Sequence, residues 1–319
     1  METEDFTVKV KGGLLAYYEK EGKVLLDAPM QLNFYRAPID NDGIVNFASR
    51  WIGRWDSSGL KYLTFFAETA ETEVGEDCVT MTVTGKSSIY ARFVGFRITL
   101  IYRIYADGLV LTEYKGEPYG DLPEALPRLG VCFKLAEDYT DVRWYGRGKD
   151  ENYADAKANA PVGLYSLPIA DMNFLYDVPQ ECGTRIDNRF ATVMGGDKAL
   201  TVVGSDTFTF SCHDFTLENL IGARHRNELK RTAEKYLYID YRMRGLGSHS
   251  CGPNPEECYE LRPHAFRFTF GICGETDGDR ILNLARRKFR SGTEALSGRY
   301  EYHREEAIAG LIECNINRD

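Results

Sequence analysis

Four segments of this 319-residue chain concentrate the side chains that could do chemistry. The first runs Phe34-Tyr35-Arg36-Ala37-Pro38-Ile39-Asp40-Asn41-Asp42-Gly43 and sets three oxygen-bearing side chains beside a guanidinium. A hard cation could use Asp40, Asn41 and Asp42, but the loop with a terminal Glu that calcium sites of this type need is missing. The competing reading is a turn in which Asp and Asn side chains bond nearby backbone N–H groups and Arg36 pairs with a carboxylate. The second, Trp144-Tyr145-Gly146-Arg147-Gly148-Lys149-Asp150-Glu151-Asn152-Tyr153, offers ring faces, cations and carboxylates. Aromatic faces cover the apolar side of a pyranose while polar groups take its hydroxyls, so a sugar site is one reading. A sheet-edge loop needs much the same residues and is the other.

The third segment, Pro179-Gln180-Glu181-Cys182-Gly183-Thr184-Arg185, places a carboxylate near an Arg. Retaining glycosidases need a pair of close carboxyl groups, one kept protonated by its surroundings, and no convincing second partner stands nearby. A buried Glu181 to Arg185 pair, or a Glu bonded to backbone, is the simpler expectation. The fourth runs from Arg244 through Gly245-Leu246-Gly247-Ser248-His249-Ser250-Cys251-Gly252-Pro253 to Cys258. His249 near Cys251 invites a thiol-nucleophile or a zinc reading. Cys/His nucleophiles usually meet through the fold, however, and zinc wants a fourth ligand at a recognised spacing. The density of Gly and Pro points instead to a loop with unusual backbone angles, the kind on which a rigid scaffold displays binding groups.

The elements that must position these segments are strands. Phe96, Ile98, Leu100, Tyr102 and Ile104 alternate with Arg97, Thr99 and Arg103, the period of a half-buried strand. Asp107-Gly108 then marks a tight hairpin, and Leu109 and Leu111 resume on the return strand. Similar alternation recurs at Val79, Met81 and Val83, at Phe208 and Phe210, at Tyr236 to Ile239, and at Phe266 to Ile272, while Gly12-Gly13 and Glu21-Gly22 punctuate the opening strands. Many short strands without intervening helices predict an all-β fold, a large antiparallel β-sandwich. Phe47, Trp51 and Trp55, spaced four apart, predict a short helix within 46–60 lying on it. After Asp277 the pattern of Ile281, Leu284, Ala285, Lys288 and Phe289 predicts a helix, with another over 293–312, so the chain divides into a sandwich over 1–276 and a C-terminal helical tail over 277–319.

Hydrophobic residues make up 43% and aromatics 13%, enough to build a core of stacked sheets. A formal charge of -9, with no basic run, would repel a phosphate backbone, so nucleic acid is excluded as a partner. The opening residues lack a basic and an apolar signal region, and no apolar stretch is long enough for a membrane span, so neither secretion nor a membrane partner is expected and the location read is cytoplasmic. The eight cysteines, at 78, 132, 182, 212, 251, 258, 273 and 314, form no CxxC pair and are expected as reduced, buried thiols.

Taken together and in order, NFYRAPIDND, WYGRGKDENYAD, PQECGTRID and MRGLGSHSCGP resemble one family. They are similar to the C-terminal β-sandwich of glycoside hydrolase family 2 β-galactosidases, which read close to NFWRAPTDND, WYGRGPHENYPDR, PQENGxR and MGxGGDDSWxP. The resemblance covers about residues 6 to 273. It implies a galactose mutarotase-like supersandwich. In some bacteria this domain is a separate small chain of a heteromeric enzyme, and the resemblance implies that arrangement here. The family's acid/base and nucleophile glutamates sit on a (β/α)8 barrel, which this chain has no strand-helix alternation to build, so both are expected on a large partner chain. By the same resemblance no residue of this chain is catalytic, and magnesium and sodium belong to the partner, with no cofactor on this chain.

The resemblance also implies where β-galactoside would be met. The loop matching Gly148 to Asp155 borders the pocket entrance and can change conformation, making Gly148, Glu151 and Asn152 candidates for substrate access. The tip of the Gly-rich loop supplies the pocket wall, where single-chain members often place a Trp to stack on the sugar. Cys251 stands there, so any stacking worth about 1 kcal/mol is reduced or supplied elsewhere. His249 and Ser250 occupy positions that are often acidic and serine in the family. Two other functions compete with a non-catalytic small subunit of a retaining enzyme, inactive alone. One is a stand-alone epimerase of the mutarotase type, which needs a Glu and a His on opposite sides of the anomeric carbon. His213, His225, His249 and His264 are available, none in a segment matching that family. The other is a carbohydrate-binding or assembly protein with no enzymatic role.

Overall fold

A computed structural model describes residues 1–43, 51–247 and 254–286. In chain order the strands are β1 (Phe6–Lys11), β2 (Leu14–Lys20), β3 (Lys23–Leu26) and β4 (Gln31–Asn33), followed by helix α1 (Trp51–Ser58). Next come β5 (Thr64–Val74), β6 (Cys78–Ser88), β7 (Val94–Tyr105), β8 (Val110–Gly120), β9 (Arg128–Leu135), β10 (Asp141–Arg147) and β11 (Val162–Pro168). The remainder is β12 (Arg185–Gly195), β13 (Lys198–His213), α2 (Leu217–Gly222), β14 (Lys235–Met243), β15 (Phe266–Cys273) and α3 (Gly278–Arg286).

β1, β2 and β3 form a small sheet of their own, while the others join one large sheet whose main path runs β11-β10-β12-β13-β15-β8-β7-β6-β5. The long β13 also pairs with β14, which continues through β9 to β4, so the sheet branches and folds over itself. Every ladder is antiparallel. This is the antiparallel β-sandwich that the period-2 patterns predict, and the alternation explains why. Phe96, Ile98, Leu100, Tyr102 and Ile104 all face one core with Val131, Phe133, Leu237 and Ile239 of the β9–β14 branch. Removing each such side chain from water contributes roughly 1.5–3 kcal/mol, so one residue of register slip in β7 would reverse the sign for the whole strand.

Aromatics join the layers. Phe34, just after β4, stacks on Phe96 of β7 with ring centroids 4.9 Å apart, and Phe266 of β15 meets Tyr114 of β8 edge-on at 4.9 Å. Tyrosine hydroxyls fasten the small sheet to the large one, Tyr18 donating to the Gly108 carbonyl at 2.9 Å and Tyr102 to that of Gly13 at 3.0 Å. The Asp107-Gly108 hairpin forms as the dipeptide predicts. Gly108 takes φ 85°, and the Asp107 carboxylate accepts the Leu109 N–H at 3.1 Å.

α1 lies on the sandwich with Trp51 and Trp55 inward, and the Trp55 indole donates to the Ala125 carbonyl at 2.9 Å. Phe47 of the predicted aromatic stripe lies outside the described residues. α3 buries Ile281, Leu284 and Ala285 against Leu109, Phe190, Val203 and Cys273, and the predicted helix over 293–312 lies outside the described residues. Among the described cysteines, Cys78, Cys132, Cys182, Cys212 and Cys273 are free thiols.

Candidate functional site

The four chemistry-bearing segments, spread over more than 200 residues of sequence, meet at one end of the sandwich. β10 carries Trp144 to Arg147 into the sheet and releases the chain at Gly148. Gly146 must be glycine because a Cβ there would fall 2.1 Å from Asn188 Oδ1, and Asn188 is tied up bonding the carbonyls of Arg185 and Phe208. Gly148 is buried against Tyr165 and Trp144, whose ring atoms would stand 2.8 and 3.1 Å from an added Cβ. Trp144 is not free to cover a sugar. It is fully buried between Tyr165, Phe210 and the Arg185 guanidinium.

Beyond Gly148 the loop is bound to the third segment. The Asn152 amide N–H donates to the Thr184 carbonyl at 2.8 Å, and its side-chain oxygen accepts the Ile186 N–H at 2.9 Å. Glu151, half-buried, accepts from the Gly183 N–H at 2.7 Å and from the Tyr176 hydroxyl. Asn152 is buried, so its role here is to join the two loops, while Lys149 and Asp150 stay exposed.

The expected Glu181 to Arg185 pair does not form. Gly183 adopts φ 76° and turns the chain, so Arg185 donates instead to the carbonyls of Met172, Gly183 and Lys149. Glu181 turns inward, accepting from the Thr184 hydroxyl at 2.9 Å and facing Arg128 at 3.8 Å. Arg128 pairs with Asp240 at 2.8 Å and donates to the Ser211 hydroxyl at 3.1 Å. Burial pushes the Glu181 carboxyl above its ordinary range against the opposing pull of Arg128 and Arg36, and pushes Asp240 up to about 6 against that of Arg128. These two acids converge, but on an arginine and sealed from solvent at 3% and 0% exposure. A sealed carboxylate has no path to a glycosidic oxygen.

The first and fourth segments are clamped by a second buried ion network. Arg36 pairs with Asp42 at 2.7 Å, and Asp42 also accepts the Ile39 N–H at 3.0 Å, which closes a turn around its carboxylate. Arg244 grips Glu260 with a bidentate fork at 2.7 and 2.8 Å, reaches Asp42 at 3.2 Å and donates to Asn254 at 3.1 Å. The Trp51 indole donates to the same Asn254 oxygen at 2.7 Å, and its ring lies 4.4 Å from the Arg244 guanidinium. At the other end of the Gly-rich segment the Asp155 carboxylate accepts the N–H groups of Leu246 and Gly247 at 3.0 and 2.8 Å, while Asn41 donates to the Leu246 carbonyl at 3.0 Å. His249, Ser250 and Cys251 lie outside the described residues. The side chains that hold both ends of their segment are described; reading by residue type missed Asp155 and Asn254, and it considered Asn41 only as a cation ligand or turn residue. Their signal was positional, because each lies in or beside a Gly-rich motif that needs fixed backbone partners.

His213 lines the interior of this end, with Nδ1 2.6 Å from Asn173 Oδ1 and Nε2 3.0 Å from Ser211 Oγ. Burial, then Arg128 and Arg185, pushes it from 6.5 down to about 3. The unfolded chain therefore gains a proton that the folded chain refuses, and this contribution to stability is full above about pH 6.5 and lost as pH falls toward about 3. Asp240 acts oppositely, strengthening the fold as pH falls from about 6 to 3.8. The two offset each other where the windows overlap. His213→Gln removes the histidine's share alone, so its unfolding free energy should fall less steeply on acidification than that of the parent, by roughly 1.4 kcal/mol per pH unit. Urea unfolding between pH 7 and 4 checks this, and parallel curves would contradict it.

Among the described residues no group of three or more His, Cys, Asp or Glu side chains could hold a metal ion, and no helix is long and apolar enough to cross a membrane. A cleft of about 390 Å³ opens beside α3 and includes Asp107 and Glu275 in its lining. Glu275 is occupied there, its carboxylate accepting the Thr276 and Asp277 N–H groups at 2.9 Å each. Burial would raise its pKa, but those bonds and Arg280 hold it below the ordinary range, the reverse of what a general acid needs.

An antiparallel sandwich with four motif segments linked at one end defines a β-sandwich domain. A family model described as beta galactosidase small chain matches residues 2–272, and the chain belongs to that family. It is 32% identical over 262 residues to a β-galactosidase of Actinobacillus pleuropneumoniae, covering 82% of this chain and 25% of that protein. Against the β-galactosidase of Vibrio cholerae identity is 31% over 268 residues, covering 82% and 25%, and against that of Kluyveromyces lactis 28% over 249 residues, covering 76% and 23%. The chain thus spans about a quarter of the length of these relatives. Among solved structures, an aldose epimerase homologue from C. elegans aligns over 82% of this chain and 92% of its own at a TM-score of 0.34 and 10% identity, too distant to bear on function.

Proposed function

We propose that this chain is the non-catalytic small subunit of a cytoplasmic β-galactosidase, completing the active-site wall of a larger, barrel-bearing chain that supplies both catalytic glutamates. The observation that carries this reading is the commitment of the motif carboxylates. Asp42, Glu181, Asp240 and Glu260 are bound to arginines, and Asp155 and Glu151 to backbone N–H groups. Such groups can hold loops in place, but none of these six carboxyl groups is free to protonate a leaving group or attack an anomeric carbon.

The work assigned to this chain is positional. Asp155 and Asn41 hold one end of the Gly-rich segment and Arg244 and Asn254 the other, so Cys251, His249 and Ser250 would be presented to the sugar from a fixed base. Gly148, Glu151 and Asn152, joined to the third segment, would border the entrance. Closing one side of the pocket excludes water and orients the substrate, while double displacement with retention takes place on the partner. Any magnesium or sodium would be bound by that partner.

Reconstitution tests this. The purified chain should turn over a chromogenic β-galactoside at no more than background, and addition of the large chain should raise the rate by several orders of magnitude. Strong turnover by this chain alone, or full activity of the large chain without it, would overturn the division of labour.

A further inference from the structure

The far end of the β5–β8 half of the sheet exposes a group of aromatics that the fold does not use. Tyr62, Phe66, Tyr90 and Phe93 are 63, 58, 97 and 73% exposed. The register sets the strand ends that carry them side by side, because Thr64 pairs with Ser88, Ser88 with Gly95 and Gly95 with Tyr119. At about 4.8 Å between neighbouring strands, that row spans roughly 15 Å. Phe93 rests against Tyr119 with ring centroids 5.6 Å apart, and the Arg97 guanidinium lies 5.5 Å from the Tyr119 ring.

An aromatic side chain can bury roughly 150–250 Å², so these four present on the order of 500 Å² of mainly apolar surface at their observed exposures. Scattered single exposures need no explanation, but four large exposed aromatics on neighbouring strand ends do. It is more than half of the roughly 800 Å² that each partner contributes to an ordinary stable interface, and Tyr and Phe are residue types enriched in such interfaces.

The patch is mechanically joined to the candidate site. α1 begins at Trp51, whose indole holds Asn254 beside the Gly-rich segment. Its other end is held by the turn that displays Tyr90 and Phe93, for Arg92 of that turn donates to the Ser57 carbonyl and Ile89 packs beside Gly59. At 1.5 Å per residue the helix separates patch from site by only about 12 Å. A partner seated against the motif loops therefore reaches the aromatics without a break. The β-galactosidase relatives are matched over only a quarter of their length, so the family architecture provides a large remainder to occupy this face.

We propose that Tyr62, Phe66, Tyr90 and Phe93 form a docking surface for the catalytic chain, an inference that rests on the small-subunit reading. The test is a Tyr90→Ser/Phe93→Ser double variant, two side chains exposed enough to leave the melting temperature unchanged. Sedimentation velocity and a titration of the large chain followed by β-galactosidase activity should show binding weakened at least roughly thirtyfold, with activity restored to near the parent level at saturating concentration. Parent-like binding by the folded variant would overturn the assignment while leaving the subunit reading intact. A parent chain that self-associates through these residues, seen as a dimer that the variant abolishes, would also overturn it. Failure of the parent chain itself to bind the large chain would remove the small-subunit reading and the docking surface together, a distinguishable result.

Discussion

Arg244→Ala should lose about 3–5 kcal/mol of folding stability, because it strands the Glu260 carboxylate and takes from Asp42 one of its two arginines. Arg244 is fully buried and is the shared partner of Asp42 and Glu260, with Asn254 and the Trp51 ring completing its cage. Asp42 keeps Arg36 after the substitution, but Glu260 loses the fork that neutralises it. Arg244→Lys should fall between parent and Ala, since an ammonium restores the charge without the bidentate geometry. Urea denaturation of the three proteins gives the comparison. A loss below about 1 kcal/mol for the Ala variant would mean that the network is exchangeable and does not fix this end of the sandwich.

Asp155→Ala is expected to behave differently, with a modest cost in stability and a large one in assembled activity. Its carboxylate accepts two successive backbone N–H groups, and hydrogen bonds to a charged group contribute roughly 1.5–3 kcal/mol each, part of which water restores at a half-buried position. The consequence for catalysis is geometric. Freeing the start of the Gly-rich segment lets the wall shift, and a misplacement of about 1 Å can cost on the order of a hundredfold in rate. The reconstituted enzyme should therefore lose between about tenfold and a hundredfold in kcat/KM, while Asp155→Asn, which keeps one acceptor oxygen, should recover part of it. Unchanged kcat/KM in the Ala variant would remove Asp155 from the account.

The fold was legible because its signal is periodic. Every apolar position named in β7 faces the core, and the Asp107-Gly108 dipeptide turns where its backbone freedom allows. What sequence could not supply was pairing between distant charges. Arg185 stands four positions from Glu181, an attractive local match, yet the left-handed turn at Gly183 sends it to three carbonyls and leaves Glu181 to Arg128. Spacing along an irregular loop carries no directional information, unlike spacing along a strand. Trp144 shows the same limit. Its ring suits a sugar by composition, while its alternation with Tyr145 in β10 decides that it packs inward instead.

The segments picked out by residue type are brought together by the fold. All four segments singled out by their chemistry are linked at one end, through Asp40 N–H to Gln180, Gly183 N–H to Glu151, and Asn41 and Asp155 to Leu246. Their individual roles were less visible, because an Asp that caps a loop and an Asp that does chemistry are the same letter. Only partners and burial separate them, and here both assign Asp42, Glu151, Asp155, Glu181, Asp240 and Glu260 to holding structure.

Covalent trapping tests the central claim most directly. A 2-deoxy-2-fluoro-β-galactoside with a good leaving group should accumulate the glycosyl-enzyme of a retaining mechanism on whichever chain carries the nucleophile. Intact mass measurement of the reconstituted enzyme should show the fluorogalactosyl increment on the large chain and an unlabelled mass for this one. The increment on a Glu or Asp of this chain would contradict the account.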